Sequence, residues 1–365
     1  MKYRISPIDP IISRDARQFG AGSPMHSMSW LSNILIAGAV RAVLWKANPE
    51  PDSRETLSAL KKTTVQGIFP LLNEKIYFPR PLDIVKSANN IYQIKPCEIP
   101  DNCGVNMPLR GLLPAAPDTD EDFKPVQLNA FWERDLIIKW LKYGKNNFSL
   151  NDADTLSAPL HDERVHACID PKTGTSKGGN LFATTGLDFV HMDGVNDSLK
   201  LEQISIDIEG GSLPEKFIAP IGGERRLAEF SLNEDDAALW DYPAELPEFI
   251  NGRLRLVLAS PAIFAKGWLP DWIGEETLTG KIPHTNATVK LISAVTERWQ
   301  PVSGWSYERG NTGPKPMRRA VPAGSVYFFE IITGTLEAKN LWLKSICTDE
   351  QNINDGFGLV LAGQW

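Results

Sequence analysis

Glycine-rich segments are the parts of this 365-residue chain whose residue types and spacing could do chemistry. Near the end of the chain, Gly356-Phe357-Gly358 precedes the apolar run Leu359–Leu361. Glycine reaches backbone angles closed to other residues, so such a turn can direct successive N–H groups at one anion, such as a phosphate. Upstream, Gly222-Gly223 precedes Arg225 and Arg226 and partly repeats the pattern. These turns favour phosphate binding, and the alternative is that the glycines only allow tight packing.

Basic residues are concentrated beside glycines, in segments that have the composition of loops. Such loops could follow a phosphate backbone, and Trp299, Trp305 and Tyr307 could stack on bases. The alternative is scattered surface charge together with aromatic residues of the core. We predict an RNA-binding surface that draws on Arg14, Arg17, His26, Arg41, Lys172, Lys177, Gly222, Gly223, Arg225, Arg226, Arg309, Lys315, Arg318, Arg319, Gly356 and Gly358.

His26 is the one histidine in the loop before the first predicted helix. With Arg14 and Arg17 nearby, it could act as general base and acid in metal-independent RNA cleavage. The alternative is an exposed or packed histidine, because the sequence offers no identifiable partner base. We therefore predict no catalytic residue and keep the His26 ribonuclease as an alternative hypothesis.

His161, His166 and Cys168 are the strongest candidates for metal ligands, because they lie close together in the sequence. No Cys-x-x-Cys or His-Glu-x-x-His pattern accompanies them, and the chain has no P-loop, no Gly-x-Ser-x-Gly and no dinucleotide fingerprint. We expect neither a metal nor a cofactor.

The composition describes a globular protein that can bury a core, since 42% of the residues are hydrophobic. A net charge of -7 and a pI near 5.4 exclude a surface that is basic throughout, although not a local basic groove. The four cysteines form no regular framework, which fits a reducing cytoplasm. No apolar run approaches the length of a membrane span, and Met1–Ile12 does not read as a signal peptide. We expect a cytoplasmic protein with no membrane partner.

The elements that must position these residues alternate between strand and helix patterns. In the first half we predict a strand at Tyr3–Ile12, a helix at Ser29–Lys46 in which Gly38 packs closely on a sheet, a hairpin at His161–Val190, a strand at Leu199–Ile208 and a short helix at Ser212–Ala219. In the second half we predict a linker at Asp241–Gly252, strands at Arg253–Phe264, Ala287–Trp299 and Gly324–Ile332, a short helix at Leu341–Ile346 and a last strand.

The first half ends in a glycine turn that runs into a short strand-like segment at Pro220–Phe230, and its order is β, α, large insertion, β, β, α, β. The second half has the order β, α, β, β, α, β, although its first helix is weakly marked. This order indicates an α+β fold of two tandem ferredoxin-like, RNA-recognition-type domains. We expect the first domain at 1–245, with a large insertion at about 47–160 that includes a helix at Ala130–Tyr143. The second domain is expected at 246–365, ending in the glycine-rich loop and a strand.

Five segments in chain order resemble the third subunit of the type III-B CRISPR effector, a member of the RAMP superfamily. They are Arg14–Phe19 with Gly20 and Gly22, Ile36–Arg41, Gly222–Ala228, Val302–Trp305 followed by Val321–Val326, and Gly356–Gly363. Each motif alone is loose, whereas their order and spacing make the set fairly specific. Residues of about 47–160 contribute little to the resemblance.

The resemblance implies two RRM-like RAMP domains and binding of the repeat-derived 5′ end of a guide RNA. It also implies docking on the large polymerase-like subunit and on a backbone RAMP subunit, in antiviral defence, with no nuclease activity in this subunit. The hairpin Arg164–Val190 resembles the projections that RAMP proteins push into a guide strand. A protein–protein scaffold that never contacts RNA is the remaining alternative.

Overall fold

The computed structural model describes residues 1–15, 25–146, 148–193, 198–306 and 312–365. They form a mixed α and β fold with more strand than helix. The helices are α1 (Asn33–Ala47), α2 (Arg54–Lys62), α3 (Arg134–Tyr143), α4 (Ala237–Trp240) and α5 (Glu350–Asn354). None of the helices in these ranges is long and apolar enough to cross a membrane.

The strands follow the chain in two groups. Those of the first half are β1 (Lys2–Pro7), β2 (Thr64–Leu72), β3 (Lys75–Pro79), β4 (Ile84–Lys86), β5 (Ile91–Pro96), β6 (Ala115–Pro117), β7 (Phe131–Glu133), β8 (Thr155–Leu156), β9 (Leu160–Ile169), β10 (Ser176–Asp188), β11 (Val190–Asp193), β12 (Ser198–Leu201), β13 (Gln203–Glu209), β14 (Lys216–Ile221) and β15 (Arg226–Leu232). Those of the second half are β16 (Phe249–Ile250), β17 (Arg253–Leu258), β18 (Thr279–Lys281), β19 (Thr288–Val295), β20 (Gln300–Val302), β21 (Trp305–Ser306), β22 (Gly313–Pro314), β23 (Arg318–Ala320), β24 (Val326–Thr333), β25 (Leu336–Glu337), β26 (Lys344–Ser345) and β27 (Leu359–Gly363).

The chain divides into two compact units, each made of three segments. The first unit contains Met1–Glu74, Ala158–Glu234 and Pro301–Arg318. The second unit contains Lys75–Ser157, Asp235–Gln300 and Arg319–Trp365. The two domains expected from the sequence, with their boundary at 245/246, stay a prediction.

The sheet of the first unit has the strand order β14-β15-β1-β13-β2, and all of its neighbouring strands are antiparallel. Alternation along β1 buries Tyr3 and Ile5 on one face, as expected for a strand with a period of two. Helix α1 packs on this core through Ile36, Ala37 and Val40. The predicted N-terminal helix is therefore confirmed.

The packing expected for Gly38 is wrong. This glycine lies on the exposed side of α1, and a Cβ placed there would meet nothing within 4 Å. The helix turns Ile36, Ala37, Ala39 and Val40 towards the sheet instead, so the small residue that approaches the core is alanine rather than glycine.

The main sheet of the second unit has the strand order β18-β19-β24-β17-β27-β26. Its centre is the predicted strand Gly324–Ile332, observed as β24, which pairs with β17 and β19. Segment 75–157 adds α3, the strands β3-β7-β8 and the small sheet β4-β5-β6 to the same unit. The helix predicted at Ala130–Tyr143 is confirmed as α3.

Two predicted short helices are wrong. Within Ser212–Ala219 the chain forms β14, where Ala219 and Ile221 are buried and Phe217 stacks on Phe230 at 4.7 Å. These packed residues recur at every second position, which is the period of a strand and not of a helix. Within Leu341–Ile346 all residues except Lys344 are buried, and Leu343 has φ +54°, which a helix does not allow.

An ion pair lies in the interior of the second unit. Arg255 on β17 donates from Nη1 to Asp83 Oδ2 at 2.5 Å and from Nη2 to the Trp140 carbonyl at 2.7 Å. Trp140 in turn donates from Nε1 to Asp83 Oδ1 at 2.8 Å. All three residues are 0% exposed. The network therefore ties α3 and the segment around Asp83 to the central sheet.

Removing one partner of this ion pair should lower the stability of the fold, because the other charge then stays unpaired in the core. We expect Arg255→Met to lower the free energy of unfolding by about 3–5 kcal/mol in urea titrations. The surface pair Arg4–Glu74 is the matched control, and Glu74→Gln should cost less than about 1 kcal/mol because Glu74 is largely exposed. The double variant Asp83→Leu/Arg255→Met should lose less than the sum of its single variants. Additive losses would show that the two charges are not coupled.

Candidate nucleic-acid interface

The segment Ile11–Ser13 is the centre of the candidate site in the first unit, and it is wholly buried. Ile11 exchanges two backbone hydrogen bonds with Leu187 at the base of the long hairpin, at 2.9 and 2.8 Å. The Ile12 carbonyl accepts the Gly223 N–H at 3.2 Å. The hairpin and the glycine turn are therefore joined to one short piece of backbone.

The glycine turn itself connects β14 to β15, from Gly222 to Arg225. Gly222 has φ +73°, and a Cβ placed there would overlap the Ile12 carbonyl oxygen. Only glycine allows this close approach. Glu224 and Arg225 also have positive φ, at +58° and +53°, so the turn is tight and Arg225 is exposed at its tip.

The loop before α1 lies against the same segment. Arg14 pairs with Ser27 as an isolated bridge, and the Asp15 N–H donates to the His26 carbonyl at 3.1 Å. Ser27 donates its hydroxyl to the Thr185 carbonyl of β10. The structure therefore brings Arg14 and His26, both exposed, to the base of the hairpin.

The first turn of α1 is contacted from two sides. A Cβ on Gly222 would lie 3.2 Å from Leu35 Cδ1, and a Cβ on Gly304 would lie 3.1 Å from Ile34 Cγ2 and 3.7 Å from Lys315 Cδ. The helix has no acidic residue in its first turn and no side-chain N-cap bond. No carboxylate within the first turn of the helix therefore compensates its partial positive charge.

The charges of this surface are mostly basic. Arg14, Arg225 and Lys315 are exposed and Arg226 is half-buried, against the acidic residues Glu224 and Asp15 on the same loops. Arg226 Nε is buried and has no hydrogen-bond partner among the described residues. We call Arg14, His26, Arg225, Arg226 and Lys315, with Gly222 and Gly223, the basic cluster.

Three predicted residues of the first unit lie away from the basic cluster. Arg41 donates from Nη2 to the Thr63 carbonyl at the end of α2, at 2.8 Å. Lys172 and Lys177 lie at the far end of the β9–β10 hairpin, where both are exposed. Nine steps along β9 separate that end from the base, which is about 30 Å at strand rise. The predicted hairpin is confirmed by the pairing of His161 with Leu187 and of Ile169 with Ser176.

The terminal glycines have a packing role. Gly356 and Gly358 have φ +77° and +76° and are buried in the second unit. The Gly356, Phe357 and Gly358 N–H groups donate to carbonyls of Ile353, Asn352 and Pro261, so they are not directed at an anion. A Cβ on Gly358 would lie 2.6 Å from Cys347 Sγ. This is the alternative that the sequence left open, and RNA binding by these glycines stays an untested prediction.

The remaining predicted residues divide between the two units and the undescribed segments. Arg318 is half-buried in the first unit, whereas Arg319 is exposed in the second, where its guanidinium lies over the Trp299 ring at 4.8 Å. Arg17 and Arg309 lie outside the described residues.

Among the described residues, His26 bonds through its backbone carbonyl, which accepts the Asp15 N–H. His166 bonds to Thr184 Oγ1 at 2.8 Å and stacks on Phe182. Within the described ranges, no group of three or more histidine, cysteine or acidic side chains is placed to hold a metal ion.

Sequence reasoning did not identify Ile12 and Ser13 as parts of the site. Ser13 Oγ accepts the Ser32 N–H at 3.1 Å, immediately before α1. Their contribution comes from backbone atoms and one hydroxyl that contact residues far along the chain. No local pattern in the sequence marks such contacts.

The family of CRISPR-associated proteins described as Cas_Cmr3 has a model that matches residues 3–365. The chain belongs to this family, the third subunit of the type III-B CRISPR effector. The resemblance of the five sequence segments is thereby confirmed. No curated protein matches the chain in a sequence comparison.

Solved structures similar to this chain include two of the Type III-B Cmr-beta bound to cognate target RNA, one of them also with AMPPnP. In each, the matching chain is 17% identical with a TM-score of 0.48, over 90% of this chain and 86% of that chain. A chain of the Csm3-Csm4 subcomplex of the type III-A interference complex is 11% identical with a TM-score of 0.29, over 93% of this chain and 97% of that chain.

The close approach of Gly222 to Ile12 can be tested by a matched pair of substitutions. Gly252 also has φ +73°, but a Cβ there would meet nothing within 4 Å. Gly252→Ala should cost about 1–2 kcal/mol from backbone strain alone. Gly222→Ala should cost about 1–3 kcal/mol more in urea unfolding, because the methyl group displaces the Ile12 carbonyl. Equal losses would show that the two backbones can separate freely.

Proposed function

We propose that this protein is a non-catalytic RNA-binding subunit of a type III-B CRISPR effector. In this proposal it recognises the repeat-derived 5′ end of the guide RNA in antiviral defence. The observation that carries the proposal is the basic cluster, which lies at the base of the hairpin in a chain of the Cas_Cmr3 family. Basic side chains and backbone donors around a tight turn suit phosphates.

The fold proposal is two tandem ferredoxin-like domains. It is supported by strand order, because β15-β1-β13-β2 in the first unit and β27-β17-β24-β19 in the second follow the same 4-1-3-2 arrangement. In the first unit α1 connects the first and second of these strands, and in the second unit α5 precedes the last. In the first unit, β14 takes the place of the helix expected after the third of these strands. In the second unit, the irregular segment 259–278 takes the place of the helix expected after the first.

The proposed partners are the guide RNA, the large polymerase-like subunit and a backbone RAMP subunit of the same effector. The net charge of -7 supports a small RNA footprint and leaves most of the surface for protein contacts. A cytoplasmic location is supported by four free cysteines in the described chain, two of them exposed.

The test is the salt dependence of binding to a labelled guide RNA by the full chain. Arg225→Glu/Arg226→Glu should weaken binding and reduce the slope of log K against log salt by about 1.4, if each arginine neutralises one phosphate of a single strand. The measurement is fluorescence anisotropy at several salt concentrations.

The matched control reverses the charge of two adjacent exposed lysines of the same unit, at the end of α2, in the double variant Lys61→Glu/Lys62→Glu. Both double variants change the net charge equally, so a general charge effect would weaken binding in both. An unchanged affinity and slope in the arginine variant would contradict the proposed role of the glycine turn. Absence of RNA binding by the unmodified chain, alone and in the assembled effector, would favour the scaffold alternative.

A further inference from the structure

A cleft of about 310 Å³ lies within the second unit, and none of its lining residues belongs to the basic cluster. It is bounded by the segment Thr296–Trp299, by Arg319–Val321 and by Gly267 with Trp268. This volume is at the lower end of the range for small-molecule sites, about 300–1,000 Å³. The cleft therefore has room for one small flat group, such as a nucleobase.

A cation and an aromatic ring form one wall of the cleft. The Arg319 guanidinium carbon lies 4.8 Å from the centre of the Trp299 ring, and Trp299 is 38% exposed. Neither Arg319 nor Arg298 forms an ion pair with another described residue. The guanidinium donors are therefore available to a ligand, and both its plane and the indole can stack on a base.

The acidic residue of the cleft, Glu297, interacts with a different arginine. Burial lowers the pKa of the Arg80 guanidinium, and the nearby Glu297 carboxylate opposes this effect. The Glu297 charge is thus partly balanced by Arg80. The cleft keeps the positive charges of Arg298 and Arg319, which suits an anionic ligand.

Gly267 and Trp268, which form another part of the cleft wall, lie in a turn closed by the Gly267 N–H and the Phe264 carbonyl. The fully buried Tyr327 donates its hydroxyl to the Trp268 carbonyl at 2.5 Å. Gly267 has φ +76°, and a Cβ placed there would meet nothing within 4 Å, so this wall leaves the cleft open. A site whose walls are held before binding loses less conformational entropy when a ligand enters.

We propose that this cleft binds one unpaired nucleotide of an RNA strand, with its base stacked on the Trp299–Arg319 pair and its phosphate near Arg298. The inference rests on the proposed RNA-binding function and adds a second contact, in the other unit. A protein partner fits less well, because the cleft is small and charged and Thr296–Arg298 are exposed polar residues, whereas protein interfaces bury about 800 Å² per partner.

The test combines a substitution with an abasic scan. Single abasic nucleotides are placed along a labelled guide RNA, and affinity for the full chain is measured by anisotropy. One abasic position should weaken binding by about 5- to 150-fold, the effect of losing one stacked base, and Trp299→Ala should weaken binding to the intact RNA by a similar factor. Together the two changes should give no further loss, since both remove the same contact.

The controls separate stacking from folding. Trp299→Phe should restore most of the affinity, because phenylalanine also stacks, and the melting temperature of both variants should match the unmodified chain. A second pair of the same kind, Arg253 over Trp365 at 4.5 Å, lies in the same unit outside the cleft. Arg253→Gln should leave RNA affinity within twofold, whereas Arg319→Gln should lower it several-fold.

The outcomes distinguish this inference from the proposed function. Trp299→Ala should leave the salt slope unchanged, because it removes no charge, unlike the substitution of Arg225 and Arg226. If the arginine substitution weakens binding while Trp299→Ala and every abasic position leave affinity within twofold, only the cleft inference is overturned. If the unmodified chain binds no RNA, the proposed function is overturned as well. Repeating the scan on a complementary strand shows whether guide or target supplies the base, and either source supports the inference.

Discussion

The backbone of Ile11–Ser13 is the constraint on which the candidate site depends. Three residues that are at most 2% exposed hold the base of the long hairpin, the glycine turn and the start of α1 together through backbone hydrogen bonds and one serine hydroxyl. The glycine at position 222 is required because the Ile12 carbonyl occupies the space of a side chain. Buried backbone groups must be paired, so this segment fixes where the surrounding basic side chains emerge. Side chains whose backbone is already held in place lose less conformational entropy when they bind a phosphate.

Periodicity and turn chemistry predicted the elements whose signals are local. Helices α1 and α3 follow from apolar spacing over ten or more residues, and the long hairpin from two alternating strands around a glycine-bearing turn. The central strand β24 follows from a short run rich in aromatic and β-branched residues. The family was recognised in the same way, from glycine and arginine motifs in a fixed order along the chain. Strand order in each sheet was not available from any single segment, because it depends on which distant strands pair.

The remaining features are set by long-range contacts. In the sequence, Arg255 is a single charged residue within a mostly apolar strand. Only its contacts with Asp83 and Trp140 in the folded chain make it part of a buried network. Gly358 has the same local pattern as Gly222, yet its close neighbour is the side chain of Cys347 rather than the backbone carbonyl of Ile12. Leu341–Ile346 has the length of a helical turn, but burial on nearly all sides leaves no exposed face for a helix. The local sequence cannot distinguish a packing glycine from a glycine at the candidate site, because the residue types are the same and only their three-dimensional surroundings differ.

The most direct measurement is ultraviolet cross-linking of the full chain to a guide RNA, followed by mass spectrometry of the cross-linked peptides. Our account predicts cross-links in the peptides that carry Arg14, His26 and the turn at Arg225 and Arg226, because these loops lie together around Ile11–Ser13. Cross-links confined to other peptides, with RNA bound at the same affinity, would contradict the assignment of the basic cluster as the RNA-binding surface.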